Sequence, residues 1–214
     1  MTAVRRARVL RLATAGPQDT APLAAAIEAG EIDPTTIVAI VGKTEGNGCV
    51  NDFTRGYATL SLKLLLADKL GCAPKEVEAR VAIVMSGGTE GGLSPHLLVF
   101  CREAVSAPSG TAPRLAIGVG MTRPFAPEEI GRAPQIAATA EAVATAMADA
   151  GIAVPSDVHF VQIKCPLLTK ERIEEAARRG QSVATDDTYH SMALSRGASA
   201  LGVAVALGEV TAGA

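Results

Sequence analysis

Apolar and polar positions along the chain alternate between strand-like and helix-like stretches. Short runs that are β-branched or alternate with polar residues predict strands over 4–13, 36–42, 81–85, 96–100, 114–121 and 158–164. Longer runs, rich in Ala and Leu, predict helices over 22–30, 55–70, 134–150, 169–180 and 192–207. Strands that alternate with helices predict an α/β fold.

The two halves of the chain are similar to each other. In each half a strand-like run ends in lysine, "VAIVGK" at Lys43 and "HFVQIK" at Lys164. In each half an Arg-Gly pair then opens an apolar helix, at Arg55 and at Arg196. The shared order of strand, Lys, loop, Arg-Gly and helix predicts an internal structural repeat.

The stretch 106–113 is rich in Ser, Pro and Gly and predicts a linker. We therefore expect a first repeat unit over 1–105 and a second unit over 114–214. The first half continues past its helix to a serine-glycine loop, and a counterpart at the same spacing would fall beyond residue 214. The second unit is thus expected to be incomplete, in the N-terminal portion of a longer protein.

Composition narrows the function classes. Of the 214 residues 48% are hydrophobic and 20% charged, but only 3% are aromatic and Trp is absent, so stacking on nucleic-acid bases has few rings to use. A net charge of −2 gives no general attraction to phosphate. The four cysteines form no CxxC pair, which predicts free thiols. The sequence shows neither a signal-peptide pattern nor an apolar run of the roughly 20 residues that a membrane helix needs. We expect a soluble cytoplasmic protein that contacts neither nucleic acid nor membrane.

Lys43 stands in "GKT", which invites a phosphate-binding loop. The Walker A pattern requires a glycine five residues before Gly42, where this chain has Ile37, so we reject that reading. A partly buried lysine at a strand end can act as a general base. The alternative is a surface lysine beside Glu45.

Ser86 lies where a buried strand runs into "SGGTEGG". Four glycines in the next six residues allow backbone N–H groups to converge on an oxyanion or a carbonyl oxygen. The hydrolase pattern GxSxG is absent, because Val84 stands at its first glycine. The alternative is a plain glycine-rich turn.

Arg55 and Arg196 are both predicted at helix starts, where the helix dipole disfavours a cation by about 0.3–1 kcal/mol. Arginine placed against that preference can clamp a planar acceptor with two N–H groups. The alternative is an arginine that reaches solvent or Asp52. The three histidines lack metal-ligand spacing, and His159 is expected to be a structural residue of a strand.

The strings "GKTEGNGCVNDFTRGYA" and "VMSGGTEGGLSPH" together resemble the cyanuric acid hydrolase and barbiturase family. The resemblance implies hydrolytic ring opening of a small planar cyclic amide, with cyanuric acid giving carboxybiuret, which loses CO2 to form biuret. It implies three similar repeats about a pseudo-threefold axis, each giving a Lys, an Arg and a Ser-Gly to a central site. It further implies no cofactor, no metal in these residues, and a homo-oligomer, a tetramer in the family.

On this resemblance, Lys43, Arg55, Ser86 and Gly87 bind substrate for the first repeat, and Arg196 does so for the second. Lys164 is the catalytic base for a nucleophilic serine of the second repeat. That serine loop and the third repeat have no counterpart here, so we expect the chain to be inactive alone. A non-catalytic cyclic-imide binding module and a hydrolase of barbituric acid remain alternatives, and a nucleotide-binding protein is a distant third.

Overall fold

The computed structural model describes residues 4–89, 91–105 and 115–211. The chain divides into two compact units, Met1–Ala116 and Ile117–Ala214. The predicted 106–113 linker lies outside the described residues, and the division into repeats stays a prediction. The prediction of an α/β fold is confirmed.

In its described residues, unit 1 contains a four-stranded sheet, three α-helices and a short 3-10 helix over Pro34–Thr36. The strands are β1 Val4–Ala13, β2 Ile37–Lys43, β3 Ala82–Ser86 and β4 His96–Val105, and the helices are α1 Ala21–Glu28, α2 Thr54–Leu70 and α3 Pro74–Arg80. The strand order is β1-β4-β2-β3. β4 runs antiparallel to both β1 and β2, whereas β2 and β3 are parallel. This parallel pair brings the carboxyl ends of β2 and β3 to one edge of the sheet.

One face of the sheet packs against the helices. Leu97, Val99 and Cys101 alternate along β4 and are buried, as the period of a strand requires. Leu62 and Leu66, one helical turn apart on α2, are also buried in this core. Burying each such leucine or valine contributes about 1.5–3 kcal/mol, so this core holds α2 against the sheet.

Unit 2 contains α4 Ala133–Ala150, α5 Lys170–Arg178 and α6 Thr188–Ala206. Gly202 of α6 lies against α4, where a methyl group would come within 2.6 Å of the Thr139 Cβ. Buried Gln135 of α4 donates to the Ser195 and Ser199 hydroxyls of α6, both at 2.9 Å. Small residues and a satisfied polar network therefore join the two helices closely.

Two strands of unit 2 were predicted over 114–121 and 158–164, but residues 115–121 and 158–164 belong to no strand in the described part of the chain. In unit 1, β1 and β2 do not pair with each other, because both pair with β4. No counterpart of β4 is present within residues 117–211. Without that central strand the two segments have no ladder to join, although their sequence pattern is strand-like.

The prediction that Arg196 begins a helix was wrong. α6 begins at Thr188, because the Asp187 side chain accepts the His190 N–H at 2.8 Å and caps the helix there. Arg196 is thus the ninth residue of α6. His159, expected to be a structural residue of a strand, is exposed and lies in no strand among the described residues.

Candidate functional site

Lys43 and Ser86 are the last residues of β2 and β3 and are paired in register. Lys43 is half-buried, and its Nζ donates to Ser86 Oγ at 3.2 Å and to the Gly87 carbonyl at 3.1 Å. Lys43 is therefore directed at the serine-glycine turn and forms no ion pair with Glu45 among the described residues. Parallel pairing places the two side chains next to each other.

The glycine-rich turn differs in part from the sequence prediction. The group that Gly87 presents to Lys43 is its carbonyl. Gly92 donates its N–H to Thr89 O at 3.0 Å, so that amide is used within the turn itself. The turn does require glycine at Gly88, where φ is +80°, a conformation that costs other residues free energy.

Arg55 is the second residue of α2, as predicted. Its Nη2 donates to the Cys49 carbonyl at 2.6 Å, and its Nε lies 3.6 Å from Asp52 Oδ2. Arg55 thus reaches Asp52, as the alternative allowed, and its binding of substrate stays a prediction. A carboxylate beside the first turn of α2 offsets the unfavourable placement of the arginine.

Asp52 was not among the predicted site residues. Its side chain is fully buried and accepts from the backbone N–H groups of Gly48 and Thr54, both at 2.9 Å. Burial raises the pKa of Asp52, but the hydrogen bonds from Thr54 and Gly48 and the charge of Arg55 outweigh it, so the pKa lies below its ordinary value. The spacing Asp-x-Thr before a helix is typical of a capping turn and could have identified it.

The structure brings four of the predicted residues into one cluster: Lys43, Arg55, Ser86 and Gly87. Lys43 contacts Ser86 and Gly87 directly, and Asp52 joins Gly87 to Arg55. Ser86 Oγ accepts from Lys43, and its hydroxyl donates to the Gly87 carbonyl over a long 3.5 Å. A closer acceptor on a bound molecule could replace that weak contact. Two cations and a hydroxyl can together bind and polarise the carbonyl groups of a small planar molecule.

The other two predicted residues lie in unit 2, and the structure places them on different cavities. Exposed Lys164 lines a cavity of about 420 Å³ with Arg123 and Arg172. Exposed Arg196 lines a cavity of about 410 Å³ with Phe160 and other apolar side chains. The two cavities share Ile163, Cys165 and Ser199 as lining residues. Lys164 and Arg196 therefore lie on two cavities that adjoin along these residues, and their shared role in one site stays a prediction.

The four cysteines are free thiols, as predicted. Across residues 4–89, 91–105 and 115–211, no group of three His, Cys, Asp or Glu side chains could hold a metal ion. Within the same ranges, no helix is long and apolar enough to cross a bilayer.

Comparison with known proteins identifies the family. The model of the family described as amidohydrolase ring-opening protein matches residues 8–214. A cyanuric acid amidohydrolase of Ectopseudomonas oleovorans is 62% identical over 207 residues, which are 96% of this chain and 57% of that protein. A cyclic amide hydrolase of Azorhizobium caulinodans is 55% identical over 204 residues, 95% of this chain and 56% of that protein.

The same result comes from structure. A solved cyanuric acid hydrolase, described as an evolutionary innovation by structural concatenation, superposes with a TM-score of 0.94 at 54% identity. The match covers 97% of this chain and 57% of that one, so this chain spans little more than half the length of the proteins that it matches. The chain belongs to the amidohydrolase ring-opening protein family.

Proposed function

We propose that this chain supplies part of a site that opens the ring of a cyclic amide by hydrolysis, with cyanuric acid as the substrate. The observation that carries the proposal is the Lys43–Ser86–Gly87 group at the carboxyl ends of two parallel strands, beside Arg55. Family membership and the cyanuric acid amidohydrolases among the relatives support it.

In this proposal the first unit binds and polarises the substrate. Lys43 donates to Ser86 Oγ, which makes the Ser86 hydroxyl a stronger donor to a ring carbonyl oxygen. Arg55, held by Asp52 and the Cys49 carbonyl, supplies a second cation to the electron-rich edge of the ring. Withdrawing electrons from a ring carbonyl makes its carbon easier to attack.

The covalent step is assigned to the second repeat. Lys164 is the base that takes the proton of a nucleophilic serine, which we place in the part of the longer relatives that this chain does not match. The serine oxygen bonds to the ring carbonyl carbon, the ring C–N bond breaks, and the departing nitrogen receives the proton from Lys164. Water then hydrolyses the ester to carboxybiuret, which loses CO2 to give biuret. Arg196 binds substrate on the same repeat.

A homo-tetramer in the cytoplasm completes the proposal. The tetramer is what the family resemblance implies, and the four free cysteines support a reducing compartment. Light scattering coupled to size exclusion measures the first, and cell fractionation with a tagged chain measures the second.

The deciding experiment uses the purified 214-residue chain. Calorimetry with cyanuric and barbituric acid measures binding, and a biuret-release assay measures turnover. We expect cyanuric acid to bind without biuret release, and Ser86→Ala to weaken binding about tenfold through the lost hydrogen bond. Ser61→Ala is the matched control, because the Ser61 hydroxyl donates to the Tyr57 carbonyl of its own helix.

Two outcomes would change the proposal. Biuret release that is abolished by Ser86→Ala would make Ser86 the nucleophile. Tighter binding of barbituric acid than of cyanuric acid would make barbituric acid the proposed substrate.

A non-catalytic cyclic-imide binding module is the second candidate, and the complete Lys43, Arg55 and Ser86 cluster within unit 1 favours it. Mixing the chain with the separately expressed C-terminal part of the Ectopseudomonas oleovorans relative distinguishes the two. Turnover restored by mixing supports the hydrolase, and binding that stays without turnover supports the module.

A further inference from the structure

Asp52 is a buried carboxylate in a loop of unit 1, with no exposed side-chain surface. Removing a carboxylate from water costs several kcal/mol unless hydrogen bonds and a cation replace the lost hydration. Here the Gly48 N–H donates to Oδ2, while the Thr54 N–H and the Thr54 hydroxyl donate to Oδ1. Gly48 and Thr54 of the loop thus supply three hydrogen-bond donors to this one side chain.

The Asp52 carboxylate also touches the serine-glycine turn. A methyl group placed on Gly87 would come within 1.8 Å of Asp52 Oδ2, and one on Gly46 within 1.9 Å of Oδ1. Such distances are far below any van der Waals contact, so the carboxylate occupies the space that a side chain at either position would need. Glycine at Gly46 and Gly87 is therefore explained by the approach of Asp52.

A chain of hydrogen bonds connects Asp52 to the strand ends. The Thr54 hydroxyl, which donates to Asp52, lies 2.8 Å from the hydroxyl of buried Thr44. Thr44 donates its N–H to the Ser86 carbonyl at 2.9 Å. Asp52 is thereby linked to the backbone of Ser86, whose side chain accepts from Lys43.

Asp52 orients Arg55 as well. Arg55 Nε lies 3.6 Å from Asp52 Oδ2, while Arg55 Nη2 donates to the Cys49 carbonyl. The Asp52 N–H donates to the same Cys49 carbonyl at 3.1 Å. Two acceptors from one loop thus fix the plane of the guanidinium, and a planar donor binds well only when its plane is fixed.

We propose that Asp52 is the positioning residue of this site, tying the 44–54 loop to the Ser86–Gly87 turn and setting the orientation of Arg55 relative to Lys43 and Ser86. The proposal rests on the proposed function for the ligand that the cluster binds. The geometry itself is independent of that ligand. An amide at Asp52 would keep the size and some of the hydrogen bonds, but would lose the charge that faces Arg55.

The test compares Asp52→Asn with Asp68→Asn, the same chemical change at an exposed position of α2. The first readout is the NMR signal of the Arg55 Nε–H group in ¹⁵N-labelled chain. We expect Asp52→Asn to move its chemical shift toward that of a free arginine, because the buried charge 3.6 Å from Nε is lost, while Asp68→Asn leaves it unchanged. An unchanged Arg55 signal in folded Asp52→Asn would overturn the proposal.

The second readout is the affinity for cyanuric acid by calorimetry. We expect Asp52→Asn to weaken binding about tenfold while thermal unfolding still shows a folded chain. Equal affinity in Asp52→Asn and the parent chain would also overturn the proposal. If the parent chain binds neither cyanuric nor barbituric acid, the proposed function fails for this chain, and the Arg55 signal alone decides the role of Asp52.

A second pair of variants covers the case in which Asp52→Asn does not fold. Thr54→Val removes the hydroxyl that joins Asp52 to Thr44, and Thr54→Ser keeps it. We expect the Arg55 Nε–H signal to change in Thr54→Val and to be restored in Thr54→Ser. The same signal in both variants would contradict the link from Asp52 to the strand ends.

Discussion

Lys43 and Ser86 end two parallel strands at the same level of the sheet, with Lys43 Nζ 3.2 Å from Ser86 Oγ. The neighbouring position on the other side of β2 is His96, which pairs with Lys43 across the antiparallel ladder to β4. The sheet therefore holds Lys43 between two strands, and the ladder fixes its backbone. A lysine fixed in this way has lost conformational freedom before any ligand arrives, which favours binding.

The first prediction concerns the charge of Lys43. Lys43→Met keeps an unbranched side chain of similar length but removes the ammonium that donates to Ser86 and Gly87. We expect calorimetry to show at least about tenfold weaker binding of cyanuric acid, because a charge-assisted donor is lost. Thermal unfolding should change little, because Met fits a half-buried position.

Lys75→Met is the control for Lys43→Met, since Lys75 is exposed on α3. We expect it to bind cyanuric acid like the parent chain. If the Lys43 and Lys75 variants bound cyanuric acid equally well, Lys43 would not be a substrate-binding residue.

Local signals in the sequence predicted much of unit 1. The alternation over 4–13 gives the bounds of β1, and Gly71 ends α2 in a left-handed conformation with φ of +61°. Helix α3 was missed, because seven residues between Pro74 and Arg80 are too short to show a helical period. In unit 1 the predictions succeeded where the local sequence itself determines the backbone, as at β1 and at Gly71.

The predictions that failed did so for different physical reasons. The runs 114–121 and 158–164 carry a strand pattern, but a pattern indicates which side chains face inward and cannot supply a partner strand. Arg196 was placed at a helix start by analogy with Arg55, whereas the Asp187 cap starts α6 earlier. Asp52 was overlooked as a site residue because a charged side chain in a loop is usually exposed.

The second prediction concerns pH and Asp52. Burial raises the pKa of Asp52, and hydrogen bonds from Thr54 and Gly48 with the charge of Arg55 bring it below the ordinary 3.8. As the pH falls, the unfolded chain takes the proton first. The stabilisation by Asp52 is therefore complete above the ordinary pKa and is lost as the pH falls through the lower pKa of the folded chain.

Urea unfolding at a series of pH values measures this effect. We expect the difference in unfolding free energy between the parent chain and Asp52→Asn to be largest near neutral pH and to shrink below about pH 4. Asp68→Asn controls for the general loss of a negative charge. A difference that grows as the pH falls would mean that the pKa of Asp52 is raised by folding.

The third prediction concerns the two segments of unit 2 that carry a strand pattern but form no strand among the described residues. Residues 115–126 and 158–169 belong to no strand ladder among the described residues, whereas β2 is paired on both sides. Single amides of these segments donate instead to side chains, Val119 to Asp149, Ala126 to Glu129 and Leu168 to Ser191, and such isolated bonds open more readily than a ladder. We expect hydrogen exchange followed by mass spectrometry to show at least about tenfold faster exchange in these segments than in β2. Helix α4 is the internal control, since its amides are bonded within the helix. Protection of the segments equal to that of α4 would show that they are paired.

The last prediction concerns a glycine that packs against α4. A methyl group on Gly120 would lie 2.0 Å from the Ala142 carbonyl oxygen, a backbone atom that cannot turn away, whereas one on Gly197 of α6 would meet nothing within 4 Å. We expect Gly120→Ala to lower the free energy of unfolding of unit 2 by about 1–3 kcal/mol, because the segment and α4 must separate. Gly197→Ala should raise it by about 0.5–1 kcal/mol, because alanine is the better helix former.

Urea unfolding followed by helical circular dichroism measures both variants. A Gly120 variant as stable as the Gly197 variant would show that the segment does not pack on α4.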